Sequence, residues 1–117
     1  MAELKMMRAH EVEAEEIRHE GVEKVTLRWL ISKSDGAPTF AMRLFEVGPG
    51  GHSPLHRHEW EHEVYILAGQ GELDYEGRSF EFAAGHFIFV PAGREHRFRN
   101  TGQGEMKFLC LVPNDSY

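Results

Sequence analysis

The sequence predicts an all-β domain, a sandwich or a barrel. Short runs rich in β-branched and aromatic residues follow one another between residues 25 and 112. Gly, Pro or Asn separates them at short, regular intervals. No segment carries the apolar period of a helix of ordinary length. Many short strands with such punctuation are the mark of a closed or two-layered β fold.

Residues 1–24 read as an N-terminal arm that could pack on a partner subunit. Its stretch 10–20 is acidic, and Val12 and Ile17 give a helix too thin an apolar face, so an extended or irregular course is expected. The barrel domain, residues 25–117, opens with a strand at 25–31, rich in β-branched and aromatic side chains. Asp35-Gly36-Ala37-Pro38 reads as a turn. A strand at 40–47 follows and is stopped by Gly48-Pro49-Gly50-Gly51. Further strands are expected at 63–68, 71–75, 78–82, 86–90, 95–100 and 106–112.

A chain of 117 residues suits one domain with one hydrophobic core. Its 41% hydrophobic and 27% charged residues are ordinary for a globular protein. The formal net charge is −6 and the Lys and Arg residues do not cluster, which argues against a nucleic-acid partner. No apolar run has the length of a membrane helix, so no membrane partner is expected. The first eight residues lack a signal-peptide pattern. The single cysteine, Cys110, excludes an internal disulfide and suits a reducing cytoplasm.

The eight histidines are an excess, concentrated between His52 and His96. His10, His19 and His52 read as exposed side chains, and His86 as an outer-face residue. His56 and His58 stand at i and i+2; on a strand they share a face, with Arg57 pointing away. His62 follows across the short loop Glu59-Trp60-Glu61, and His96 lies in a separate segment with its own Gly and Pro punctuation. Imidazole is the commonest protein metal ligand. Three neighbouring imidazoles and a distant fourth suggest a mononuclear metal site inside a β-barrel.

These residues resemble the two motifs of the cupin superfamily. The first motif is Gly, five residues, His-x-His, three or four residues, Glu, six residues, Gly; Gly50, His56 and His58 match it. The second is Gly, five residues, Pro-x-Gly, two residues, His, three residues, Asn; Gly85, Pro91, Gly93, His96 and Asn100 match every position. The resemblance implies a double-stranded β-helix, or jelly roll, with one divalent metal ion per chain. One position departs. The slot that normally supplies a Glu holds His62 with three intervening residues and Glu63 with four. Six residues after His62 comes Gly69, which fits the motif, whereas the same count from Glu63 reaches Gln70. Alternation also puts His62 with Val64 and Ile66. The preferred ligand set is therefore His56, His58, His62 and His96, as in a four-histidine subgroup of small cupins, with Glu63 outside it.

Four neutral imidazoles would leave the full charge on a divalent ion and two positions open on an octahedral one. Imidazole suits Zn, Cu, Fe and Ni; the resemblance adds Mn and favours Mn or Fe. Phe98 shares a face with His96, and Cys110 and Phe108 line the same cavity if Phe108, Cys110 and Val112 face inward. The other reading of Cys110 is a small buried hydrophobe. Met42 and Leu44 are expected to line the barrel, with Arg43 outward or at an interface. Trp60 either lids the mouth or packs against it. No inward Asp or Glu can be assigned near the four histidines. The expected function is a metal-dependent oxygenase acting on a small organic molecule in the barrel. The alternatives are a metal-dependent isomerase or lyase and a non-catalytic ligand-binding or sensor protein. The resemblance also implies a homodimer, with the strand at 25–31 and Trp29 bridging subunits or else completing its own sheet.

Overall fold

The computed structural model describes residues 2–117. Nine strands account for the architecture: β1 (Glu15–Glu16), β2 (Glu23–Ile31), β3 (Phe40–His52), β4 (His62–Ala68), β5 (Gln70–Tyr75), β6 (Arg78–Ala83), β7 (Phe87–Val90), β8 (His96–Asn100) and β9 (Met106–Pro113). Short 3-10 turns stand at Ala9–Glu11, Lys33–Asp35 and Asn114–Ser116, and there is no α-helix among the described residues. The strands form one antiparallel sheet in the order β6-β5-β8-β3-β9-β4-β7, with β2 on β3 and β1 on β2. The sheet curls into the expected jelly-roll barrel.

Burial follows the pleat. In β9, Met106, Phe108, Cys110 and Val112 point inward, and in β4 His62, Val64 and Ile66 do so while Glu63, Tyr65 and Leu67 stay outside. The β3–β9 register pairs Arg43 with Cys110 and Phe45 with Phe108. Those pairs fix which side of β3 faces the core. Phe108 stacks on Phe45 and Phe98 at centroid distances of 5.1 and 4.9 Å, closing the apolar interior beside the histidines.

β3 joins the two halves of the barrel. It runs along β9 from Phe40 to Val47, then reaches β8 through His52 opposite Arg99. The expected stop at Gly48-Pro49-Gly50-Gly51 is therefore a correction: the strand continues through it. Gly50 takes a left-handed φ of 79°, which turns the chain, and the pairing with β2 shifts register there, between Glu23 and Val25. A Cβ on Gly51 would stand 2.6 Å from the Glu23 carbonyl oxygen. The glycines mark a bend in a strand that is still paired, not its end. His86 and Glu95, read as strand starts, lie outside β7 and β8.

The second motif's asparagine has a structural task. Buried Asn100 donates through Nδ2 to the Val47 and Gly104 carbonyls at 2.9 Å each and accepts from the Gly102 amide at 2.9 Å. It ties the β8–β9 turn to the bend of β3, with its polar atoms satisfied. The arm lies across β2. Glu15 and Glu16 pair with Leu27 and Thr26, and the Arg28 guanidinium donates to the His10 and Val12 carbonyls while pairing with Glu46 at 2.9 Å. This brings residues 15–19 to the rim of the barrel's cavity.

Candidate metal centre

The four histidines converge at one end of the barrel. His62 starts β4 and His96 starts β8; both are buried. His56 and His58 come from the segment between β3 and β4, and here the strand expectation is corrected. Only His56 forms a bridge, opposite His96, through His96 N–H to the His56 carbonyl at 2.9 Å and the reverse at 3.2 Å. The rest is irregular because it follows β8 only briefly before turning back. Ser53 holds it to Phe98 by two 2.9 Å bonds, and the His58 carbonyl accepts from the Gly93 amide at 2.7 Å. The two rings still meet, with centroids 5.0 Å apart.

The ring nitrogens gather tightly. His56, His58 and His96 each offer a nitrogen within 4.8 Å of the others, a set that could hold a metal ion. His62 Nε2 lies 2.6 Å from His58 Nε2, and the His62 and His96 ring centroids are 5.2 Å apart. Glu63 points outward from β4, opposite Phe89 of β7 and Leu111 of β9.

Hydrogen bonds outside the cluster set the tautomers. His58 Nδ1 donates to the Trp60 carbonyl at 2.9 Å and His96 Nδ1 to the Arg94 carbonyl at 2.8 Å. A carbonyl can only accept, so the proton sits on Nδ1 and the neutral ring presents a bare Nε2. His62 Nδ1 meets the Cys110 Sγ at 2.8 Å. The bare Nε2 atoms of His58 and His96 are available to a cation, and the 2.6 Å contact of His62 with His58 is satisfied either by such a cation or by a proton on His62 Nε2. Burial disfavours the imidazolium. Desolvation first, then the neighbouring imidazoles and Arg43, hold His62 down to about 2 and His56 to about 4. Desolvation also lowers His58 and His96. The donor set therefore fits a divalent metal ion, with the Nδ1 partners orienting the ligands.

A cavity of about 520 Å³ opens beside the cluster. Cys110, Phe98 and Phe108 line it, as expected, together with His56, His62 and His96. Trp60 does not line this cavity; it lies flat on His58, centroids 4.3 Å apart and planes 4° apart. The expectation for β3 is overturned: Arg43 points into the cavity, while Met42 and Leu44 do not line it. Alternation gives the parity of a strand but not which face is inner, and the charge on Arg43 suggested the wrong one. Its guanidinium donates to the Cys110 Sγ at 3.2 Å and covers the Phe45 and Trp29 rings at 4.9 and 5.5 Å. Sequence reading also missed the rim. The arm places Ile17, Arg18, His19 and the carboxylates Glu15 and Glu16 there, through a two-residue strand with no signature of its own.

Comparison with known proteins identifies the family and the fold. The model of the cupin domain matches residues 43–112. The oxalate-binding protein of Thermotoga maritima is 33% identical over 113 residues, 92% of each chain. The 1-methylthio-D-xylulose 5-phosphate methylsulfurylase of Rhodospirillum rubrum is 41% identical over 75 residues, 63% of this chain; that match spans about half of the relative, 47% of its length. The polyketide cyclase RemF from Streptomyces resistomycificus superposes with a TM-score of 0.89 at 39% identity, over 95% of this chain and 80% of its own. The domain match takes in more than half of the sequence, including His56, His58, His62 and His96, and this chain belongs to the cupin family.

Proposed function

We propose that this cupin holds one divalent metal ion through His56, His58, His62 and His96 and acts on a small organic molecule in the adjoining cavity. The gathering of the His56, His58 and His96 nitrogens, with His62 Nε2 against His58, beside a largely apolar cavity supports this reading. Manganese or iron is the ion we assign, from the family resemblance. When bound, it would keep its full charge among neutral imidazoles and supply Lewis acidity or redox chemistry with oxygen.

The chain's own residues contribute positioning and exclusion of water. The Trp60 and Arg94 carbonyls fix the rings of His58 and His96, and the Cys110 Sγ faces His62. Trp60 covers one face of His58, and Phe98 and Phe108 supply an apolar wall. The reaction we assign is an oxygenase reaction, one that needs no protein carboxylate beside the imidazoles. The second reading is a redox-neutral isomerase or lyase, favoured by the similarity to a polyketide cyclase. The similarity to an oxalate-binding protein favours plain ligand binding as the third outcome.

Elemental analysis of protein purified without chelators tests the centre. About one equivalent of metal per chain is expected. His62→Ala should weaken metal binding about a hundredfold or more, since even a group one step removed from a ligand costs about 10–100-fold. Glu63→Ala should change it little; the reverse order would restore a three-histidine, one-glutamate site. Oxygen uptake with turnover supports the oxygenase, anaerobic turnover the isomerase or lyase, and ligand uptake without turnover the binder.

We place the protein in the cytoplasm, where the lone Cys110 would stay reduced, and take its working form to be a homodimer. Among the described residues, no helix is long and apolar enough to cross a membrane.

A further inference from the structure

Arg43 is unusual among the cavity's side chains. It brings a positive charge in among Val25, Leu27, Trp29, Phe45 and Phe108. Among the described residues no carboxylate pairs with it. Its Nε is buried and has no hydrogen-bond partner. Its side chain makes one hydrogen bond, to the weak acceptor Cys110 Sγ at 3.2 Å. The Phe45 and Trp29 faces answer part of the charge but accept no in-plane N–H. A half-buried guanidinium whose buried Nε is unfilled is costly, and its planar fork matches a carboxylate.

The cavity's size and lining supply the rest. A volume of about 520 Å³ falls in the range of sites for ligands of many heavy atoms, well beyond a two-carbon acid. The two oxygens of a carboxylate match the guanidinium fork, and Val25, Leu27, Phe98 and Phe108 offer carbon to the rest of a ligand.

We propose that the cavity binds an organic carboxylate with a bulky apolar body, its carboxylate on the Arg43 guanidinium and its body against Trp29 and Phe45. This rests on the reading of the cavity as the ligand site, and it holds whether or not a metal ion is bound.

Calorimetric titration of the full chain, metal-free and zinc-loaded, with 2-naphthoate, 2-naphthamide, acetate and 2-naphthyl phosphate tests it. In the wild type, 2-naphthoate should bind at least about tenfold tighter than the amide, acetate or the phosphate. Arg43→Gln should weaken 2-naphthoate binding about tenfold or more and leave the amide unchanged, while Arg43→Lys, which keeps the charge and loses the fork, should fall between. Zinc uptake should be the same in all three. Equal binding of carboxylate and amide, a preference for acetate or phosphate, or an unchanged 2-naphthoate affinity in folded Arg43→Gln would each overturn the proposal. Should Arg43→Gln not fold, the wild-type carboxylate-to-amide ratio and Arg43→Lys decide it. Loss of stoichiometric zinc binding with an intact Arg43 effect would count against the metal centre alone.

Discussion

His62 draws its character from three neighbours: the cavity that dries it, His58 at 2.6 Å and Cys110 at 2.8 Å. Together with burial, the charge of its neighbours keeps it neutral down to about 2, whereas an unfolded histidine takes up a proton near 6.5. At this residue the unfolded chain therefore binds more protons as pH falls below about 6.5, and the stability that His62 contributes declines with it, opposed in the same window by exposed Glu63, whose hydrogen bond with Glu61 raises it to about 7. For His62 alone the slope approaches about 1.4 kcal/mol per pH unit. The carboxylates held low by ion pairs, Asp74 and Glu46, begin to matter only below their ordinary values of 3.8 and 4.5. Chelator-treated protein should thus lose several degrees of melting temperature between pH 6.5 and 5, and His62→Gln should make that limb shallower, the share of His56, His58 and His96 remaining, without moving the lower one. A melting temperature constant across this window would refute the account. At this scale the sequence was legible where a motif counted residues: the distance to Gly69 preferred His62 to Glu63, and the structure has His62 inward beside His58 and Glu63 outward. It was not legible at Arg43, because the rule that charges face water has no way to anticipate a cation held inside by aromatic faces and a thiol.

Elements were legible wherever alternation and punctuation agreed, as in β4, whose inward and outward residues match the sequence reading, whereas β9, apolar on both faces, left its inner side open until the structure put Phe108, Cys110 and Val112 inward. They were misread where glycine signals two different things. At Gly50 and Gly51 it bends a paired strand, whereas at Gly77 it turns a hairpin, and sequence alone presents both as a stop. The stretch from Ser53 to Glu61 defeats pattern reading for another reason: its shape is set by bonds to Phe98, His96 and Gly93, all distant in sequence. Paired substitutions separate conformation from contact at the tight turns. Gly69 and Gly77 have nearly the same left-handed φ, 83° and 79°. A Cβ on Gly77 meets nothing within 4 Å, but on Gly69 it would stand 2.7 Å from the Glu105 carbonyl oxygen. Gly77→Ala should cost about 1–2 kcal/mol, the penalty of a left-handed alanine. Gly69→Ala carries the same penalty plus a clash between the β4–β5 junction and the backbone at Glu105, just before β9, and should cost at least about 2 kcal/mol more than Gly77→Ala. Urea unfolding of the two variants checks the difference; equal midpoints would show that the turn relaxes freely.

For the molecule as a whole, the pattern of short strands and two spaced motifs was enough to name the fold, since each strand buries one face and the motifs fix which ends meet. What that pattern leaves open is the other side of the sheet. β7 is an edge strand, and its outward residues Phe87 and Phe89 are 81% and 59% exposed. Beside them on β4 stand Tyr65 and Leu67, 47% and 46% exposed, with Tyr65 directly opposite Phe87. Single exposed apolar residues are normal, but four large ones on adjacent strands, interrupted by Glu63 opposite Phe89, expose apolar surface that water would penalise. β2, expected either to bridge subunits or to complete its own sheet, lies on β3 of its own sheet, and its Val25, Leu27 and Trp29 line the chain's own cavity. The β4–β7 face is thus the better surface for a second copy, which would cover the patch symmetrically and shield the open edge of β7. Sedimentation at micromolar concentration should give a dimer. Phe87→Glu combined with Phe89→Glu should shift it to monomer while leaving metal content unchanged, because both side chains point away from the histidines. A monomeric wild type would remove the dimer, and a double variant that stays dimeric would move the interface elsewhere on the barrel.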